Sequence, residues 1–304
     1  LVLEPAEVLG DAAFMDSLRF LHYRSLEEAG LSFELGRLDI ITLLGEAPPK
    51  FVTRGSFSSQ NSSTISYVIL GINGNREFQR SEIFGKALSF LVDRDAIIRV
   101  ILGGSAARPV YGGPGTGGPS VALSLPFLPD SADYYINSLE SKPEFLTLYI
   151  DSAYPVLTKV ARYIEGQLLN KGIRVAEKTV DLALSDDFRI GSDLDMYLTY
   201  FTSVSTNPDC FFYPLYKRIL AGQTNFLYFN DEAMQTFLND LHTEPDFSRR
   251  DSLASGLAQS LTANPSAVIL YEPFLTVISK MDISGTVVDP AGYLDLRRAF
   301  IEYR

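Results

Sequence analysis

Cysteine, histidine and tryptophan are nearly absent: the 304-residue chain has one cysteine, two histidines and no tryptophan. One cysteine, Cys210, excludes any internal disulfide. No His, Asn or Asp partner is recognisable beside it, so a core thiol is the expectation and a nucleophile is not. His22 and His242 are far apart in the chain, with no nearby Cys and no HExxH spacing. They do not form a metal-ligand set by sequence. Positive charge is also scarce. The net charge of -11, with no basic run longer than Arg249-Arg250 or Arg297-Arg298, makes nucleic acid a poor partner. No apolar run reaches the ~18 residues of a membrane-spanning helix. No signal-peptide pattern opens the chain, and the first residue is Leu1 rather than Met, which fits trimming.

Catalytic signatures are missing as well. Five glycines crowd residues 112–118, yet no lysine lies between 87 and 141, so the GxxxxGK[ST] phosphate loop is absent. Pro114 and Pro119 remove backbone donors that an anion nest needs. A turn-rich crossing loop is the expectation there. Neither GxSxG nor GxGxxG before a helix occurs. Asp93 and Asp95 flank Arg94 at a helix boundary, where capping and ion pairing are expected. Asp186, Asp187, Asp193 and Asp195 lie in or beside polar stretches. No carboxylate pair has an assignable separation, so glycosidase chemistry has no geometric support.

What remains is a large apolar inventory. Apolar residues make up 46% of the chain, with 20 Phe and 16 Tyr. That is enough for a sizeable core, and the length favours two domains. A strand is expected over 17–25, a helix then a strand over 26–43, and turns over 45–63. A β-branched strand follows at 65–73. Residues 78–104 carry helical spacing, with Asp93 or Asp95 capping a second helix that buries Ile97, Ile98 and Ile101 before Gly103-Gly104. Strand 145–150, amphipathic helix 154–171 and strand 173–180 form a βαβ unit, which implies a right-handed crossover in an α/β layer. Another strand spans 194–201. Helices follow near 231–241 and 248–263, then strands over 266–279 divided by Pro273.

The stretch DMYLTYFTSVSTNPDCFFYPLYKRILAG, 195–222, combines a strand end, a polar loop and an aromatic hinge. Ligands of α/β layers bind outside the carboxyl ends of strands. Aromatic area beside polar groups suits an organic solute. Filling the core is the competing role for Tyr197, Tyr200, Phe201, Phe211, Phe212, Tyr213 and Tyr216.

Several segments together resemble the peptide-, dipeptide- and nickel-binding family of ABC-transporter solute-binding proteins. Phe33 to Ile40 resembles its L-x-x-G-x-x-D segment, and Ile69-Leu70-Gly71-Ile72-Asn73 its GFN strand end. Lys86 to Ile98, KALSFLVDRDAII, resembles RQALSYAIDRDAI and is the most specific match, with Lys86 in place of the usual Arg. Gly103-Gly104 matches a GG-x-A turn, and Gln167 to Val175 matches Q-L-x-x-x-G-I-x-V. Tyr197 to Pro208 sits where the family has GW-x-x-D-x-x-x-P, and Asn225 to Asp231 where it has N-x-x-x-Y-x-N-x-E. The resemblance covers 17–290.

The resemblance implies an α/β, periplasmic-binding-protein-like, two-lobed fold with a nearly complete second lobe and a partial first lobe. Residues 17–73 would form part of the first lobe and hinge, 74–265 the second lobe, and 266–304 the return. It implies extracytoplasmic, non-catalytic capture of an oligopeptide or related small solute, delivered to a membrane permease, with no cofactor and no metal. The location implied is the periplasm or the extracellular face, with or without a lipid anchor. The implied ligand contacts are Asn73, Tyr200, Phe201, Ser203, Ser205, Asn207 and Tyr228. In the family's peptide binders an Asp of the GW loop holds the peptide's amino terminus. Here Phe201 replaces the Trp, Val204 stands at that Asp, and Asp209 lies beyond Pro208. Family members are longer, so the chain is expected to be a fragment or a reduced member, with the missing N-terminal portion in one case supplied as a separate chain. The alternative is a degenerate scaffold or interaction module of the same fold without a transported ligand. A hydrolase would need a nucleophile and base that the sequence does not display.

Overall fold

A computed structural model describes residues 2–3, 17–48, 57–73, 82–112, 120–182, 194–203, 207–216, 232–265, 267–288, 294–296 and 299–301. The principal strands are β1 (Ile40–Leu44), β2 (Phe57–Ser62), β3 (Ser66–Ile72), β4 (Phe145–Asp151), β5 (Arg174–Val180), β6 (Met196–Thr202), β7 (Ala267–Pro273) and β8 (Leu275–Lys280). The principal helices are α1 (Leu26–Glu34), α2 (Glu82–Leu91), α3 (Pro129–Asn137), α4 (Val156–Leu169), α5 (Pro208–Tyr216), α6 (Glu232–Thr243) and α7 (Phe247–Ala263). The chain divides into two units, 1–64 with 273–304, and 65–272. β3 and nearly all of β7 therefore belong to the larger unit.

In the smaller unit, β8 pairs antiparallel with β1 on one side and β2 on the other. Ser25 caps α1 by accepting from the Glu28 amide, and the Glu28 carboxylate accepts from the Arg24 amide. This resembles a capping box, with the Glu28 carboxylate reaching one residue past the cap. α1 buries Phe33 against Ile41, Leu43 and Ile278, and the Phe33 ring meets Phe57 at 4.8 Å. The strand expected over 17–25 is only Leu18–Arg19, and His22 lies beyond it in irregular chain. β2 occupies part of the stretch expected to be turns. Its sequence FSSQNS has no apolar alternation, and its order comes from the β8 ladder.

The larger unit is built on a six-stranded sheet ordered β5-β4-β6-β3-β7, with Ala106–Ala107 at the β7 edge. β5, β4 and β6 run parallel, and β3 runs antiparallel to both β6 and β7. β3, SYVILGI, is buried along its whole length, as a central strand covered on both faces must be. Tyr67, Ile69, Tyr149, Tyr197, Phe201 and Ile269 point to one face, where Phe211, Phe212, Leu241, Leu257 and Leu261 of α5, α6 and α7 complete the core. The alternate residues Leu148, Ile150, Met196 and Leu198 are buried on the opposite side. α4 buries Val156, Leu157, Val160, Ala161, Ile164 and Leu168 and packs on β4, β5 and β6, so the expected βαβ unit is present.

The helical region after α2 differs in detail from expectation. Asp93 caps a single turn, Arg94–Ala96, by accepting from the Ala96 amide. The chain continues as a π-helix, Ile97–Ile101, which buries Ile97 and leaves Ile98 and Ile101 half-buried. Gly103 and Gly104 end it at φ values of 58° and 84°. Residues 208–216, where the sequence suggests an aromatic hinge, form helix α5. Cys210 lies on it and is half-buried rather than a core thiol.

Candidate functional site

The strand directions define two edges of the large sheet. The carboxyl ends of β4, β5, β6 and β7 share one edge with the start of β3. Both chain passages out of the larger unit, at 64/65 and 272/273, leave from this edge. β4 lies between β5 and β6. The chain leaves β4 through α4 to β5, then returns to the other side of β4 as β6. This reversal is a topological switch point, the position at which open α/β sheets hold ligands outside their strand ends.

The expected ligand contacts fall at different places on this sheet. Asn73 follows β3 at the opposite edge. It is fully buried, its side-chain amide donates to the Leu194 carbonyl at 2.6 Å, and its own amide donates to the Asp195 carbonyl. Ser203 is at the carboxyl edge, its amide donating to the Ile65 carbonyl at 3.0 Å. The eight residues from Ile65 to Asn73, at about 3.3 Å each, keep the two about 26 Å apart along the strand. Asn73 and Ser203 therefore do not share one site.

Tyr200 and Phe201 lie near the carboxyl edge on opposite faces. Tyr200 is 6% exposed and packs on Tyr154 with ring centroids 4.2 Å apart. Phe201 joins an aromatic core in which Phe211 meets Tyr67 at 5.1 Å, Tyr111 at 5.6 Å and Phe201 at 5.7 Å. The core-filling role thus holds for Phe201, Phe211 and Phe212. Asn207 opens α5. Its side-chain oxygen accepts from the Asp209 amide at 3.1 Å and from Arg250 at 2.9 Å. Arg250 also pairs with Asp209 at 2.7 Å, and His242, in the last turn of α6, lies 3.6 Å from the same carboxylate oxygen. Ser205, Tyr228, Val204, Asp186, Asp187 and most of the glycine-rich loop lie outside the described residues.

Two carboxylates that the sequence does not single out stand at the carboxyl edge. Asp151 ends β4, and its carboxylate accepts from the Thr199 hydroxyl at 2.7 Å and from the Ala153 amide at 3.1 Å. The register places Thr199 beside Asp151 across the β4–β6 ladder, so both side chains stand on one face. Glu272 ends the larger unit's last strand. Burial pushes its carboxyl up to about 7. Burial, followed by the charge of Glu272, also raises the Tyr67 phenol, which donates to the Val110 carbonyl at 2.9 Å. Strand-end position and parity are the available sequence signals. Neither distinguishes Asp151 from the many other carboxylates.

The raised Glu272 carboxyl carries a stability prediction. From its ordinary 4.5 up to about 7, the folded chain holds a proton that the unfolded chain has released. Stability must therefore fall as pH rises through that window and level off above it. Glu272→Gln removes this slope. Discounted for partial solvent screening, its stabilisation at pH 8 relative to pH 4.5 is about 2 kcal/mol. Urea unfolding of both proteins at the two pH values checks it, and parallel pH dependences would refute it.

Among the described residues no group of three or more His, Cys, Asp or Glu side chains is arranged to hold a metal ion. No described helix is long and apolar enough to cross a membrane.

The fold of the chain is that of solved solute-binding proteins. Helicobacter pylori DppA, solved with the peptide STSA, aligns with TM-score 0.83 and 16% identity over 99% of this chain and 60% of its own. Bacillus subtilis AppA, an oligopeptide-binding protein solved with a nonapeptide, aligns with TM-score 0.81 and 16% identity over 99% of this chain and 64% of its own. Staphylococcus aureus NikA, solved with Ni(L-His)2, aligns with TM-score 0.78 and 17% identity over 95% of this chain and 63% of its own. At such identities the likeness is one of fold: α/β, of the periplasmic-binding-protein type, and partial, since the chain spans less than two thirds of each of these proteins. No curated protein matches the chain by sequence. The family model of bacterial extracellular solute-binding proteins, family 5, middle region, matches residues 3–219. The chain thus belongs to the family 5 bacterial extracellular solute-binding proteins, a family of binders and not of enzymes.

Proposed function

We propose that the protein captures a small solute, an oligopeptide or a related compound, outside the cytoplasm and presents it to the permease of an ABC importer. The family match over 3–219 carries this reading. In this reading the binding edge is the carboxyl edge of the large sheet, and Tyr200 and Ser203, which lie near it, are proposed contacts. Ser205 and Tyr228, outside the described residues, are kept as proposed contacts, while Asn73 and Asn207 serve the fold. The larger unit corresponds to the second lobe and the smaller unit to part of the first lobe and the hinge. Binding biases the protein toward a closed state by differential affinity.

A second reading, a scaffold of the same fold without a transported ligand, draws support from one observation. Asn73, Tyr200, Phe201 and Asn207 all have partners within the larger unit. Native mass spectrometry of gently purified protein, compared with the denatured sample, separates the two. A stoichiometric adduct of a few hundred daltons is expected for solute capture. A clean apo mass, with no thermal shift across peptides and metal chelates, would establish the scaffold.

A further inference from the structure

A cavity of about 340 Å³ opens beside the amino ends of β4 and β5, lined by Lys142, Pro143, Glu144, Gly172 and Arg174. β4 runs from Phe145 to Asp151, so at about 3.3 Å per residue the cavity lies about 20 Å from the carboxyl edge. Two turns build it. Past the end of α4, Gly172 has a φ of 74°, which lets the Ile173 amide donate back to the Leu168 carbonyl at 3.0 Å. The Arg174 amide then donates to the Glu144 carbonyl at 3.0 Å and laces the start of β5 to the turn before β4. Pro143, buried, stiffens that turn.

The charges of the cavity select its ligand. The chain has a net charge of -11, yet here two cations meet one carboxylate. Among the described residues no carboxylate pairs with Lys142 or Arg174, whereas the adjacent Lys171 pairs with Asp133 at 2.7 Å. Gly172 leaves room beside the Lys142 ammonium, since a Cβ there would stand 3.6 Å from Nζ. A guanidinium fork takes two oxygens of one anion, and an ammonium adds a point charge. Two cations match the charge of a phosphate monoester, about -1.5 to -2 near neutral pH. The acidic surface elsewhere acts across more than a Debye length, about 8 Å at physiological ionic strength, and is screened. Glu144 repels a bare anion and accepts from a donor, so it favours a ligand with a hydroxyl or ammonium near its phosphate.

We propose that Lys142, Arg174 and Glu144 form a binding site, separate from the solute's edge, for a small phosphate monoester that carries a hydroxyl or ammonium donor. Arg174 and Lys142 hold the phosphate oxygens, and Glu144 accepts from the donor. The site goes beyond solute capture and does not depend on it.

Isothermal titration of the full chain near neutral pH, at physiological ionic strength, tests it with glycerol 3-phosphate, methyl phosphate and glycerol. The wild-type protein is expected to bind glycerol 3-phosphate threefold or more tightly than methyl phosphate, and glycerol not at all. Lys142→Gln and Arg174→Gln are each expected to weaken glycerol 3-phosphate tenfold or more. Lys159→Gln, which removes the same charge from an exposed position on α4, is expected to leave it unchanged. Glu144→Gln is expected to bring methyl phosphate level with glycerol 3-phosphate. No binding of glycerol 3-phosphate by wild type at millimolar concentration overturns the proposal, and equal binding of the two phosphates does the same. An equal loss in Lys159→Gln shows general attraction to positive charge and also overturns it. Binding that survives in both Lys142→Gln and Arg174→Gln lies elsewhere and overturns it too. The three probes on wild type decide the matter if a variant does not fold. Solute capture at the carboxyl edge stands or falls separately, by the native mass of the purified protein.

Discussion

Replacing Arg94 with methionine is expected to cost the larger unit roughly 3–5 kcal/mol. Arg94 is 5% exposed, and burial holds its guanidinium down to about 10, with a smaller contribution from Arg108. No carboxylate forms a salt bridge with it among the described residues. Its donors go to backbone carbonyls instead: Ile269 on β7 at 2.9 Å, Ser89 in α2 at 2.9 Å, Leu125 at 3.1 Å and Val92 at 3.4 Å, with the Ser89 hydroxyl at 3.1 Å. One planar fork thus joins three segments that are distant in sequence. Methionine fills much of the volume but strands those carbonyls, and each buried unsatisfied group costs about 1–3 kcal/mol. Arg94→Lys is expected to recover roughly half, because an ammonium has fewer donors and no fixed fork. Urea unfolding checks this through the midpoint at constant slope. A methionine variant within about 1 kcal/mol of wild type would show that water replaces the guanidinium.

Gly85→Ala is expected to destabilise by about 3 kcal/mol, although alanine is ordinarily the better helix former by up to about 1 kcal/mol. The reason is a backbone contact. A Cβ on Gly85 of α2 would lie 1.9 Å from the Pro265 carbonyl oxygen and 3.0 Å from its carbon. Neither atom is the movable end of a side chain, so α2 or the approach to β7 must shift. Gly166 in α4 is the control, since a Cβ there meets nothing within 4 Å. Gly166→Ala should stabilise by about 0.5–1 kcal/mol. Thermal unfolding of the two variants should therefore move in opposite directions, and a stabilising Gly85→Ala would refute the contact.

Legibility in the sequence follows the range of the interactions. α4 is readable because Val156, Val160, Ile164 and Leu168 recur on one side, and their burial is complete or nearly so. β3 and β7 are readable as β-branched apolar runs. β2 is not, because a polar edge strand takes its order from the β8 ladder. α5 is not, because its apolar residues show no one-sided pattern and Pro214 falls within it. The candidate site is less legible than the fold. Asn207 reads as free in a polar loop, but its side chain is taken up by the start of α5 and by Arg250. Asn73 at a strand end and Ser203 in the loop after a strand read as contacts of one site, yet β3 and β6 are antiparallel, which sends them to opposite edges.

By itself, the sequence determined the α/β class, the βαβ unit and the family, because these rest on local periodicity and on short contiguous motifs such as Lys86 to Ile98. Only the tertiary structure decided which side chains share an edge. Asp151 meets Thr199, and Arg94 meets Ile269, across separations of 48 and 175 residues. Such pairs are fixed by strand order, direction and register, and no local pattern encodes them.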